Sequence, residues 1–306
     1  MSFLSTLTGF LIKALGFLLS LVIFSAPAQC REPIVPAEDG LRLQLTVLSD
    51  VHMIPLLYTQ AQGLAKTLRD AAAAQEPQDA VVFLGDNTNN GLAVQYLAFY
   101  SVLSRYNKAG RTLVAMGNHD LSTNLYKPAQ TTAMHKFFYQ TYTGAETDPA
   151  RPWHWERVKG YDLIVLGDEL REAFTDAVIT QEQLDWLAAR LDAAEPGKPV
   201  FVFLHQSLNH VGSWGAIGAP SGALQALFEG HDNVFVFNGH MHQGLEETNV
   251  TQVGGVTYIN TPSLLMQQPR GVGWQVEAYD GRVVLRARNF IQGKWLKDYE
   301  YPVDLT

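Results

Sequence analysis

The chain of 306 residues carries 22 Lys and Arg against 30 Asp and Glu, a formal charge of −8 at pH 7, and is 47% hydrophobic and 17% charged. That balance is globular, long enough for one large domain or two small ones, and it argues against a nucleic-acid surface held by a basic face. It leaves an anionic ligand open, because bound cations can reverse the local sign.

The first thirty residues read as an export leader. Lys13 is their only charge, Ala14–Phe24 is an unbroken apolar core, and Ala26-Pro27-Ala28 fits a small-x-small cleavage site. Residues 1–28 are therefore taken as a signal peptide, and the protein as exported to a periplasm or the extracellular space. The alternative is an uncleaved membrane anchor, since Phe3–Phe24 approaches spanning length; membrane contact follows only in that case. Cys30 is the one cysteine, so no intrachain disulfide is possible and stability must come from the core. Gln29 stands where a lipoprotein signal carries a small residue, so Cys30 is read as a bystander thiol.

Residues 29–41 read as a tail and 42–306 as one domain. Buried strands are expected at Leu43–Ser49, Ala80–Leu84, Thr112–Met116, Leu163–Leu166, Val200–Leu204 and Val234–Phe237, all short apolar runs. Helices are expected at Leu56–Ala74, Leu92–Lys108 and Thr180–Ala194. In the last, Thr180 with Gln183 makes a capping-box pattern, Leu184, Leu187 and Leu191 share a face, and Pro196-Gly197 stops it. Strands follow at Val256–Asn260, Trp274–Tyr279 and Val283–Arg288, the last two joined by an Asp280-Gly281 hairpin turn. Strand and helix alternating, then a run of strands, predict an α/β (α+β) arrangement of layered sheets with helices outside.

Polar residues collect where these strands end. The first closes on Asp50 and His52, the second on Gly85-Asp86, the third on Gly117-Asn118-His119-Asp120, the fifth on His205 and the sixth on Gly239-His240-Met241-His242. Each alone could be a cap, a turn or a satisfied core histidine. Together they bring carboxylates, imidazoles and an amide to one rim, where open α/β sheets bind ligands. Nitrogen and oxygen donors without thiolate suit Mn, Fe or Zn. In an extended segment His240 and His242 point to the same side.

These five motifs, in this order over residues 50–242, resemble those of the calcineurin-like metallophosphoesterase family. The resemblance implies a four-layer double β-sandwich flanked by helices and a pair of divalent or trivalent ions. By motif, Asp50, His52 and His242 would hold one ion, Asn118, His205 and His240 the other, and Asp86 would bridge. It further implies hydrolysis of a small phosphate ester by a metal-bridged hydroxide, with His119 near the leaving-group oxygen and Asp120 orienting it. For Asp120 an N-cap of the segment that follows it is the competing reading. Purple acid phosphatases, which are similar, have a tyrosine where this chain has Asn89 and a glycine where it has His52, so that subtype is not expected.

The outcome favoured is a phosphodiesterase, with a phosphomonoesterase or a catalytically silent metal-binding protein of the same fold as alternatives. Another dinuclear hydrolase, an amidase or peptidase, would share the ions and differ in leaving group. His135, His154 and His231 are read as surface or packing residues. His210, on a Gly-rich loop near the rim, is a candidate for touching substrate, and the aromatic stretch 137–155 is a candidate pocket wall or a peripheral excursion. Asn249-Val250-Thr251 is a glycosylation sequon, meaningful only on a eukaryotic secretory route.

Overall fold

Strands that are apolar on both faces need cover on both sides, and this chain supplies it in sequence order. The computed structural model describes residues 31–55, 58–123, 125–169, 175–208 and 221–306. The expected leader, Cys30 and His210 lie outside the described residues. Among those described, the elements are β1 (Leu43–Leu48), α1 (Tyr58–Ala71), β2 (Ala80–Phe83), α2 (Ala93–Tyr106), β3 (Arg111–Val114), α3 (Asn118–Leu121), α4 (Pro128–Thr143), β4 (His154–Val158), β5 (Tyr161–Val165) and α5 (Gln181–Asp192). There follow β6 (Val200–Phe203), α6 (Ser221–Glu229), β7 (Val234–Asn238), β8 (Val250–Val253), β9 (Val256–Asn260), β10 (Val272–Tyr279), β11 (Arg282–Asn289) and β12 (Lys294–Asp304).

They form two six-stranded sheets, ordered β12-β11-β10-β1-β2-β3 and β4-β5-β6-β7-β9-β8. The central strands β1, β2 and β3 are parallel, as are β5, β6, β7 and β9, and antiparallel strands complete each sheet. The period of two along each strand sorts the side chains into layers. Phe201, Phe203, Phe235 and Phe237 enter the core between the sheets, where they meet Val47 and Val82. Val200, Val202, Val234 and Val236 point the other way, into a cluster with Leu187 of α5 and Leu224 of α6. The outer face of the first sheet carries Val81 and Phe83 against Leu64 and Leu68 of α1 and Phe99 of α2. Helix, sheet, sheet, helix is the four-layer arrangement expected.

The inner phenylalanines pack as tilted pairs, with Phe203 and Phe237 ring centroids 5.4 Å apart. Each buried aromatic of this kind contributes about 1.5–3 kcal/mol. The Asp280-Gly281 turn joins β10 to β11 as expected, with Tyr279 opposite Arg282 and Gly281 at φ +88°.

Several details differ from the sequence reading. Thr180 does begin α5, but Gln183 does not close a capping box on it. Both Thr180 N and its hydroxyl donate to Glu169, at 2.7 and 2.9 Å, while the Gln183 amide bonds both backbone groups of Gly167 at 3.0 Å. Strands β4, β8 and β12 and helices α3, α4 and α6 were not expected. Residues 31–41 form no regular element, yet they are fastened to the domain. Ile34 is buried, Glu32 N donates to Gly293 O at 2.8 Å, and the buried Arg288 joins Glu32 O to Asp70. The stretch 137–155 runs from the end of α4 into β4. Phe138 stacks on Tyr96 and Tyr100, and Trp155 Nε1 donates to Asp162, so these rings pack peripherally. Asn249 is buried, its carbonyl oxygen accepting from Glu246 N and its amide donating to Asn260 O, so the sequon is closed in the folded chain.

One buried join between the halves is basic. Lys136 of α4 reaches His154 Nδ1 of β4 at 3.0 Å, beside His135, and all three side chains are buried. Burial pushes the Lys136 ammonium from 10.5 down to about 7, against the partial support of Asp148. Burial, then the Lys136 charge, lowers His135 to about 3. In both cases the unfolded chain binds a proton that the folded chain lacks, so stability falls as pH drops through the interval. For Lys136 the interval runs from about 10.5 to about 7, with a slope of at most about 1.4 kcal/mol per pH unit. Lys136→Met is expected to flatten this slope. Urea midpoints of both proteins at several pH values between about 7 and about 9.5, below the tyrosine range, check it.

Candidate metal centre

The rim is built where parallel strands stop in step. Leu48, Phe83 and Val114 are register neighbours in the first sheet, and Phe203 and Phe237 in the second. Beyond them the backbones stay joined. Asp50 N donates to Gly85 O at 3.1 Å, His52 N to Asp86 O at 2.8 Å, and Gly239 N to His205 O at 2.9 Å. The candidate ligands therefore sit on strand continuations rather than free loops. The first sheet supplies Asp50, His52, Asp86 and Asn118, and the second His205, His240 and His242.

The chain turns sharply there. Asp50, His52, Asp86, His240 and His242 all have left-handed backbones, with φ between 48° and 71°. Asp and His tolerate this region better than most residues, yet each instance costs of order 1–3 kcal/mol and persists only where surrounding contacts over-determine it. Close approach explains one glycine in particular. A Cβ at Gly117 would overlap Asp86 Oδ1, at the point where the second and third loops meet.

The side chains converge. One ligand atom each from Asp50, His52, Asp86 and His242 lies within 4.8 Å of the others. His52 Nε2 is 3.1 Å from His242 Nε2, which in turn is 3.0 Å from Asp50 Oδ1. On the other side His205 Nε2 stands 3.2 Å from Asp86 Oδ2, and His240 Nδ1 stands 3.0 Å from Asn118 Oδ1. All seven expected ligands are thus brought to one place, with Asp86 between the two groups.

This donor set fits cations. His205 Nε2, the ring nitrogen that faces Asp50 and Asp86, is buried without a hydrogen-bond partner, its 3.2 Å approach to Asp86 being off the line of a bond. Such groups are expensive to leave unmatched. A cation accepting the inward-facing lone pairs removes that cost and offsets two close carboxylates.

The electrostatics tell the same story. Burial works to raise the Asp50 carboxyl, but hydrogen bonds from His242 and His52 outweigh it and hold the group well below its usual range. Asp86 is likewise lowered against its burial, chiefly by His205. His205 rises to about 9 despite burial, because Asp86 and Asp50 stabilise its charge. His240 falls to about 4 through burial and the neighbouring His205 charge. Protons on the imidazoles here stand in for positive charge that the carboxylates demand.

His119 lies beside the cluster, but Asp120 is not the group that orients it. The His119 ring lies edge-on to His52 with centroids 4.5 Å apart, so it borders the cluster. Its Nδ1, however, meets the Asn89 backbone oxygen at 2.9 Å, and the Asp120 carboxylate faces elsewhere. Asp120 Oδ1 accepts from Thr88 N and Thr88 Oγ1 at 2.9 and 2.7 Å. Its Oδ2 accepts from Asn87 N, Asn87 Nδ2 and Gly117 N at 3.1–3.2 Å. Asp120 is the third residue of α3 and accepts from Gly117 N at that helix's own start, so it is not the N-cap of a following segment. Burial and the nearby Asp86 raise the Asp120 carboxyl against these bonds. Asn87, Thr88 and Asn89 are site residues that the sequence reading missed. A run of four polar residues after a buried strand was the available signal for two of them; a backbone carbonyl leaves none.

A family model described as calcineurin-like phosphoesterase matches residues 43–244. The chain belongs to that family. No curated protein matches the chain in sequence. Among solved structures, it resembles a purple acid phosphatase from yellow lupin (Lupinus luteus) seeds at 14% identity and a TM-score of 0.58, covering 88% of this chain and 55% of that one. It also resembles GAP50, described as the anchor in the inner membrane complex of Plasmodium, at 14% identity and a TM-score of 0.58, covering 87% and 90%. At such identities the likeness is one of fold. The chain spans about half the length of the lupin enzyme.

If the Asp and His cluster takes cations, Mn should raise the melting temperature of metal-free protein. The linkage gain is about 2.7 kcal/mol at ~100-fold excess over Kd. Gly117→Ala, which displaces Asp86, should lose most of that shift while keeping a wild-type circular dichroism spectrum. Thermal melts with and without Mn measure both.

Proposed function

We propose that the protein is an exported dinuclear-metal phosphoesterase, with diesters as its preferred substrates. The observation that carries the catalytic part is the convergence of Asp50, His52, Asp86 and His242 within 4.8 Å, flanked by His205, Asn118 and His240. Asp50, His52 and His242 would hold one ion, Asn118, His205 and His240 the other, with Asp86 shared. Bound Mn, Fe or Zn ions supply Lewis acidity toward phosphoryl oxygens and lower the pKa of water.

The protein's own groups do the rest. Asp50 and Asp86 are held ionised by surrounding imidazoles, so they are ready as anionic ligands near neutral pH. The His119 Nδ1–H bond to Asn89 O sets the tautomer and the ring's direction, and Nε2 is the nitrogen that would serve the departing oxygen. Protonated at Nε2, His119 gives that proton to an alkoxide as the P–O bond breaks. The chain provides no covalent acceptor in this scheme.

Charge supports the diester preference. The rim segments 50–53, 85–90, 117–121, 205–207 and 239–243 contain no Lys or Arg. A diester carries one negative charge, which a pair of cations neutralises unaided, whereas a monoester dianion gains more from an added cationic side chain. Export rests on the leader-like residues 1–28.

Mn-loaded protein should hydrolyse bis-p-nitrophenyl phosphate faster than p-nitrophenyl phosphate and leave peptide substrates untouched. Peptide cleavage, or no ester hydrolysis at all, would sink the proposal. His119→Ala should lower kcat about 10²–10⁴-fold on a diester with an alkyl leaving group. The loss should be smaller with p-nitrophenolate, which departs without a proton; equal losses on both would remove His119 from the leaving-group role.

A further inference from the structure

We infer that Asp120 is a positioning residue whose carboxylate sets Asp86, Asn118 and the His119 ring together, by tying the 86–89 loop to the turn at 117–121. The inference rests on the metal reading above and replaces the expectation that Asp120 orients His119 directly.

The geometry is specific. Asp120 is fully buried and both its oxygens are occupied by five donors. Three of these donors are backbone N–H groups, of Asn87, Thr88 and Gly117. Asn87 and Thr88 immediately follow Asp86, and Gly117 immediately precedes Asn118. One carboxylate thus fixes the residue next to each of two candidate ligands, from two different strands. The same clamp reaches His119 by a second route. Thr88 is held by N and Oγ1, and the next residue, Asn89, presents the carbonyl that receives His119 Nδ1. His119 N itself donates to Asp86 Oδ1 at 2.8 Å, so the three groups are mutually braced.

A carboxylate is the group this arrangement calls for, because only an anion accepts at every site and donates at none. An amide at position 120 would turn an N–H toward N–H donors on one side. The brace matters because Asp86 holds a left-handed backbone, with φ 49°, that it would otherwise leave. A side chain at position 91 would overlap the Asp120 carbonyl oxygen, and Tyr96 donates its hydroxyl to that oxygen at 3.3 Å, fixing the residue from behind. Partners that orient ligands in this way change metal affinity or activity about 10–100-fold when removed.

Asp120→Asn and Thr88→Val test the assignment on the full chain, with Mn(II) as the probe. Mn per chain and Kd, the Mn(II) electron paramagnetic resonance spectrum, kcat and KM on bis-p-nitrophenyl phosphate, and the melt of metal-free protein are measured for each. In Asp120→Asn the inference expects Mn affinity about 10–100-fold weaker, a shift of the spectrum from coupled to isolated ions, and kcat reduced more than KM is changed. Excess Mn should restore part of the kcat, and the melt of the metal-free variant shows that the chain is folded before Mn is added. Thr88→Val, which keeps the carboxylate and loses one donor, should move the same readouts in the same direction by less. It decides the matter if Asp120→Asn does not fold. Two tightly bound ions in the wild type with unchanged affinity, spectrum and kcat in the folded variants overturn the inference alone. Fewer than two ions in the wild type overturn the metal reading and this inference with it.

Discussion

Two carboxylates, Asp50 and Asp86, are buried within a few ångströms of each other at the rim, and water cannot reach either to share their charge. Each is held ionised by imidazoles that approach from several directions. Histidine nitrogens gather around them because a buried anion without a counter-charge is far more costly than a buried imidazolium with one. His205 shows the bargain most clearly, raised to about 9 in a place where burial alone would neutralise it. Remove the carboxylates and the histidines have no reason to converge. Remove the histidines and the carboxylates take up protons instead.

That pairing also accounts for the backbone around it. Left-handed Asp and His residues are unfavourable one at a time, yet five of the seven ligand positions adopt this conformation. They can do so because the strand-end hydrogen bonds continue into the loops, and because Asp120 and the glycines lock the loops against one another. The sandwich supplies the rigid part. Inward phenylalanines and outward valines fix the face each strand presents, and with it the direction in which the next residues leave the sheet. His205 lies two residues beyond Phe203, so in extended backbone it continues on the inner face, toward Asp86.

Much of this was legible in the chain itself. Central strands announce themselves as continuous apolar runs, and the ligand types at their ends are chemically distinctive. Edge strands are harder to read. β12 alternates charged and half-buried residues over Lys294–Asp304, and β4 reads as His-Trp-Glu-Arg-Val, because one side of each faces water and carries no apolar run. Helix α5 was visible from Leu184, Leu187 and Leu191, but not its cap, because Glu169, far back in the sequence, outcompetes Gln183 for Thr180. The direction of the Asp120 carboxylate was hidden for a related reason. Adjacency in sequence brings it next to His119, whereas the turn of α3 carries the two side chains to different neighbours. Asn89 acts through its main chain, which every residue possesses, so no residue type could have marked it.

The ligands come from both sheets, and this has a consequence for how the molecule breathes. The contact of His205 with Asp86 spans the seam between two layers otherwise held by phenylalanine and valine packing. Apolar layers resist separation but offer little resistance to small sliding, since dispersion contacts have no preferred direction. A charged pair planted at one end of the seam does have a direction, and it pins that end. Slow amide exchange should therefore be most strongly graded along the strands of β2 and β6, tightest near the rim when its charges are balanced and loosest toward the opposite end.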